Sequence, residues 1–189
     1  AEDIFVFRSD LYAQVTAGLI ITTDGLVIVD TLLYPEETRH IKRFIQKYYT
    51  NQPIRYVINT HHHADHTTGT SFFDEAQVVS HRLCRDMLDT RGRVSLEHSR
   101  TQAPDMHDVS LILPNLVFDH TLILQVGNKT LHLEHMPGHS IDSIVCWVEE
   151  DNVLFAADTI MSLPYFVDGD YKQFLESLHK LQQREFDCI

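Results

Sequence analysis

Asn59-Thr60-His61-His62-His63-Ala64-Asp65-His66 follows the apolar run Tyr56-Val57-Ile58, and within it His61, His63, Asp65 and His66 put four potential metal ligands into six positions. If Ile54–Asn59 is a buried strand, side chains two apart point to the same side. His61 and His63 then aim at one ion, while the loop turns Asp65 and His66 towards a second. Neutral imidazoles suit zinc, and a mixed Asp/His set suits zinc, iron or manganese. The competing reading, a solvated histidine-rich loop, fits a lone histidine better than this spacing directly behind a strand. Two further stretches carry residues of the same type, Pro137-Gly138-His139-Ser140 and Leu154-Phe155-Ala156-Ala157-Asp158-Thr159.

Thr60-His61-x-His63-x-Asp65-His66 resembles the signature of the metallo-β-lactamase superfamily, and the two later stretches fall in that family's order along nearly the whole chain. The resemblance implies an α/β fold, an αββα sandwich of two mixed sheets flanked by helices, with the metals at the sheet edges. It implies one site of His61, His63 and His139, and a second of Asp65 and His66 with Asp158 bridging or serving it. It also assigns Asp30 to support the loop from behind and Gly69 to let backbone pass close to the ions. The implied cofactor is zinc, two ions, with iron or manganese as alternatives. Two ions about 3.5–4 Å apart would bring a shared water towards pKa 7, and the metal-bound hydroxide would attack an acyl bond of a β-lactam, lactone or thioester. Asp65 is the candidate catalytic residue, returning a proton to the leaving group.

The chain departs from the family pattern in two places. Ala157 stands where glycine is frequent before the aspartate, and no further histidine follows Phe186–Ile189, so residues 1–189 are expected to form a single domain lacking its C-terminal end. Gly138-His139-Ser140-Ile141-Asp142 with Val145-x-Trp147 resembles the class B β-lactamases, which often carry Cys at the Asp158 position and Arg at the His66 position. His61-His62-His63 and Asp158-Thr159 resemble glyoxalase II, a thioesterase. Ala64-Asp65-His66-Thr67-Thr68-Gly69-Thr70 resembles the iron-dependent persulfide dioxygenases. The expectation is a β-lactamase-like metallo-hydrolase; the alternatives are a glyoxalase II-like thioesterase, a persulfide dioxygenase and a non-catalytic metal-binding domain.

The elements that must position these residues are legible from periodicity. Ile4–Arg8, Tyr12–Thr22 and Leu26–Thr31 read as a β-meander turning at Thr23-Asp24-Gly25. Pro35-Glu36-Glu37 opens a helix with Ile41, Phe44, Ile45 and Tyr48 on one face. A helix is expected to begin at Ser71–Phe73, and another to span His81–Arg91. Arg93 to Pro114 shows weak periodicity and reads as an irregular flap or insertion in which His98 and His107 face solvent. Strands are expected at Leu116–Phe118, Thr121–Val126, Thr130–His135, Ser143–Val148 and Val153–Ala156. A last helix, Tyr171–Arg184, turns Phe174, Leu175, Leu178 and Leu181 inward, and Phe186–Ile189 begins a further strand.

Composition narrows the partners. With 27 acidic against 15 basic residues the net charge is −12, which disfavours nucleic acid and polyanionic substrates. A small-molecule substrate is expected, without nucleic acid or membrane; the oligomeric state is left open. Cys84, Cys146 and Cys188 are too widely spaced for a disulfide framework and read as buried free thiols. No stretch approaches the roughly 18 apolar residues of a membrane span. The compartment leans to the cytoplasm, or to the periplasm or exterior if the N-terminus, Ala1-Glu2-Asp3, is processed.

Overall fold

A computed structural model describes residues 2–166 and 168–189 of the chain. Strands β1 (Ile4–Arg8), β2 (Thr16–Thr22) and β3 (Gly25–Val29) form the antiparallel meander. β2 starts four residues later than the apolar pattern suggests: Ser9 Oγ accepts from the backbone of Leu11 and Tyr12, and Ala13 and Gln14 turn left-handed with φ of 47° and 58°. Helix α1 (Pro35–Tyr48) packs Ile41 and Ile45 on the sheet while Tyr48 stays 57% exposed. Strand β4 (Ile54–Ile58) then runs parallel to β3.

The helix expected at Ser71–Phe73 begins earlier. α2 (Ala64–Thr67) starts directly after His63 with Asp65 in its first turn, and a 3₁₀ turn, Thr68–Phe72, ends it. Strand β5 (Gln77–His81) leads into α3 (Arg82–Met87), a π-helical turn (Leu88–Gly92) and α4 (Arg93–Gln102), followed by a 3₁₀ turn (Pro104–Asp108). The stretch from Arg93 is therefore helical where an irregular flap was expected. Its period is weak because α4 has no fully buried residue and leaves Val94 72% exposed. His98 and His107 do face solvent.

Strand β6 (Leu116–Phe118) completes a six-stranded mixed sheet in the order β1-β2-β3-β4-β5-β6. Strands β7 (Thr121–Val126), β8 (Lys129–His135), β9 (Ile144–Val148) and β10 (Val153–Phe155) form the second sheet, ordered β10-β9-β8-β7 and antiparallel throughout. The second sheet is therefore not mixed as expected; among the described residues an isolated parallel bridge, Val153 to Cys188, lies on its β10 edge, where the expected C-terminal strand makes this single pairing. Helix α5 (Tyr171–Gln182) is capped by Asp170 and buries Phe174, Ser177 and Leu181. Leu175, expected inward, lies on the outer face.

Alternation along the strands builds the layers. Val27 and Val29 enter the core between the sheets with Ile58, Val79, Leu131 and Leu133; Leu26 and Ile28 face the other way, onto Ile41 and Ile45 of α1. Beyond the second sheet, Val145 and Leu154 meet Leu181 of α5. The result is the expected αββα sandwich. Cys84 and Cys146 are buried in it, whereas Cys188 is exposed. Among the described residues no helix is long and apolar enough to cross a membrane.

Candidate metal centre

Every candidate ligand follows the end of a strand. His61, His63, Asp65 and His66 come after β4, His139 after β8 and Asp158 after β10. His63 Nδ1 lies 3.0 Å from both His61 Nε2 and His139 Nε2. The opposite nitrogen of each ring is engaged: His61 Nδ1 with Thr60 Oγ1 at 3.1 Å, His63 Nε2 with Asp168 Oδ2 at 3.2 Å, and His139 Nδ1 with the Tyr165 carbonyl at 3.0 Å. Thr60 Oγ1 spends its own proton on Asp30 Oδ2, so it accepts from His61. A neutral imidazole carries one N–H, and here each N–H is directed outward to an acceptor. Three lone pairs are thus aimed at one another with no donor between them, an arrangement that a cation satisfies.

The second group is built around His66. Its Nδ1 donates to Asp30 Oδ2 at 2.8 Å, and its buried Nε2 has no hydrogen-bond partner among the described residues. Asp158 Oδ1 stands 3.3 Å from that Nε2 and Asp65 Oδ2 3.6 Å, both poorly aligned for a hydrogen bond. The other oxygen of Asp158, Oδ2, lies 3.3 Å from His139 Nε2, so one carboxylate spans the two groups. The donor chemistry fits divalent ions at two adjacent groups, one of His61, His63 and His139 and one of His61, His66 and Asp158, with Asp65 Oδ2 standing outside the second, 3.6 Å from His66 Nε2.

Electrostatics agree with that division. Burial, reinforced by neighbouring imidazoles, pushes His61 well below the usual histidine range, and burial also lowers His63 and His139. Their lone pairs are therefore free at neutral pH. On His66 burial opposes charge, but Asp30 and Asp158 outweigh it and raise its pKa well above the ordinary value. The carboxylates that would face a cation there also favour the protonated ring. Burial opposes the charge on Asp158 as well, yet His66 holds its carboxyl below the usual range.

Asp30 stands behind the loop. Its backbone is left-handed at φ 58°, which aspartate tolerates, and its buried carboxylate accepts from Thr60 N at 2.9 Å, Thr60 Oγ1 at 2.7 Å and His66. Gly69 serves differently from the expectation. The approach that demands glycine is to the Thr31 carbonyl and Thr38 of α1, behind the loop, because an added Cβ would collide with them. His62 is turned out of the cluster: its backbone N–H and Nδ1 bond Asp142 at 2.7 and 2.9 Å.

Three partners escaped sequence reasoning. Asp142 lies in a stretch whose resemblance was noted without a role. Asp168 and the Tyr165 carbonyl sit in an unpatterned connection, where Asp168-Gly169 signals only a turn.

A model of the Metallo-beta-lactamase superfamily matches residues 12–189. Human acyl-coenzyme A thioesterase MBLAC2 is 30% identical over 143 residues, covering 68% of this chain and 51% of its own. Hydroxyacylglutathione hydrolase of Rhodopseudomonas palustris (strain BisB18) is 27% identical over 128 residues, 67% of this chain and 42% of its own. The chain thus spans about half or less of these relatives. Among solved structures, a metallo-beta-lactamase from Pontibacter korlensis superposes with a TM-score of 0.78 at 19% identity, covering 97% of this chain and 83% of that one.

Proposed function

The chain belongs to the metallo-beta-lactamase superfamily, and from that premise we propose that it is a metal-dependent hydrolase of acyl bonds, those of β-lactams, lactones or thioesters. One observation carries the reading: the outward N–H groups of His61, His63 and His139 leave three lone pairs converging at 3.0 Å. His61, His63 and His139 would hold one ion, and Asp65, His66 and Asp158 the other, with zinc best suited to the nitrogen-rich set and iron or manganese as alternatives. Divalent ions held there would supply Lewis acidity, lowering the pKa of a bound water towards about 7 and polarising the acyl oxygen.

The chain's own residues do the rest. Thr60, Asp168 and Tyr165 fix the ring orientations, and Asp30 holds His66 as a donor at Nδ1 so that Nε2 stays a ligand atom. Asp65 turns Oδ2 towards His66, and with its side chain 19% accessible it can carry a proton from the attacking water to the leaving group at Oδ1. Within the hydrolase class, thioesters are the substrates favoured by the two named relatives.

The test is metal analysis joined to assays with nitrocefin, a glutathione thioester, an acyl-coenzyme A and a lactone. Turnover of at least one, lost in His63→Ala and His139→Ala together with bound metal, is expected. Iron at about one per chain, with oxygen consumed on adding glutathione persulfide and no hydrolysis, would instead establish the dioxygenase alternative.

A further inference from the structure

Beside the cluster lies a cavity of about 220 Å³, between the metal loop and the helical run from Arg82 to Gln102. Leu88, Leu96, Met106, Val109 and Leu111 give it an apolar wall, and His63 with Asp168 closes it on the side of the ligands. Asp168 makes that boundary a shared one: Oδ2 receives His63 Nε2 at 3.2 Å and Oδ1 receives Arg91 Nη1 at 2.6 Å. A histidine ring therefore lies between a cation site on one side and an oily recess on the other.

The size is informative. Sites that enclose a whole drug-sized ligand run to about 300–1,000 Å³, so 220 Å³ suits one arm of a substrate. At roughly 30 Å³ per water-sized group it admits about seven such groups. Its polar groups are set apart from the apolar wall: Ser95 and Ser110 are exposed at its margin, Thr67 Oγ1 is committed to the His63 carbonyl and Arg91 to Asp168, which leaves Thr68 and Ser99 as the hydroxyls within.

We propose that this cavity takes the unbranched apolar tail of the acyl substrate, of about six to eight carbons, while the scissile carbonyl lies at the cluster beyond His63. The proposal rests on the hydrolase reading and deepens it by naming the substrate class, a medium-chain acyl compound. Burying each methylene is worth about a fourfold gain in kcat/KM until the cavity is full.

The experiment compares metal-loaded wild type, Leu96→Trp and Leu96→Ala on p-nitrophenyl esters from acetyl to dodecanoyl, and on alkyl thioacetates of matching length. Wild type is expected to peak near the octanoyl ester. The octanoyl-to-acetyl ratio should fall at least about tenfold in Leu96→Trp and the peak should move to longer chains in Leu96→Ala. A length-dependent peak that these variants shift only in the thioacetate series would place the tail on the leaving side and overturn the medium-chain acyl assignment. Flat profiles in both series, or profiles unmoved by both variants, would overturn it. Calorimetric titration of octanoic acid into the protein gives a second readout: binding to wild type, lost in Leu96→Trp, is expected, and equal affinity for both proteins would overturn the proposal. Absence of turnover on every ester in all three proteins would defeat the hydrolase reading itself, and the titration would still judge the cavity.

Discussion

At the scale of single residues, the four histidines of the centre divide by the direction in which burial and neighbours move them, and this makes the metal-free protein sensitive to pH on both sides. His61, His63 and His139 are lowered from 6.5, so below that value the unfolded chain binds more protons, and stability is lost as pH falls through their folded values. His66 is raised above 6.5; its contribution is fully present below that value and is lost as pH rises through its folded pKa. Urea unfolding of the metal-free protein from about pH 5 to 9 should therefore show greatest stability near the ordinary histidine range. Asp30→Asn keeps the left-handed backbone but removes the charge that favours the His66 cation, so it should flatten the alkaline limb and leave the acid limb. A wild-type profile that does not decline on the alkaline side would refute this account of His66.

At the scale of elements, the position of α5 depends on Gly138. Its φ of 148° is open to glycine, and an added Cβ would run into the Phe174 backbone in the first turn of that helix. The strand β8 must leave its sheet sharply here for His139 to reach His63, while α5 closes over the turn and Ser177 donates to the Pro137 carbonyl at 2.7 Å. Gly138→Ala should destabilise the fold by at least about 2 kcal/mol and displace His139, weakening metal affinity about 10–100-fold in competition with a chelator. Gly92→Ala is the matched control: it has no left-handed φ, and its nearest contact is the flexible end of Leu88 at 3.1 Å. It should leave affinity within about threefold. Equal losses in the two variants would show that the effect is general packing.

At the scale of the whole molecule, the centre joins the two sheets. His61, His63 and His66 follow a strand of the six-stranded sheet, whereas His139 and Asp158 follow strands of the four-stranded one. An ion held by both sets binds the folded chain and not the unfolded one, so it stabilises by mass action. Free zinc at about 100 times its dissociation constant adds about 2.7 kcal/mol. For a chain of this size, chelation should lower the melting temperature by roughly 5–10 °C. An unchanged melting temperature, with metal analysis showing the ion removed, would mean that the ion does not bridge the layers.

Local order accounts for what could be read in advance. His61, His63, Asp65 and His66 are neighbours in sequence behind an apolar strand, and period-two and period-3.6 patterns delimit the strands and α1, so this ligand cluster and these elements follow from short-range chemistry, whereas the αββα layering and the places of His139 and Asp158 in the centre are what the family resemblance implies. Contacts across long separations could not be read that way. Asp168 meets His63 over 105 positions and Asp142 meets His62 over 80, and no local pattern marks either acid. The helical nature of Arg93–Gln102 was hidden because it buries almost nothing and so carries little amphipathic signal. The outward direction of the ring N–H groups was decided only when Thr60, Tyr165, Asp168 and Asp30 were brought to the outer nitrogens. That placement turns a set of histidines into three lone pairs facing one point, because each neutral imidazole has a single proton and the tertiary fold determines where it goes.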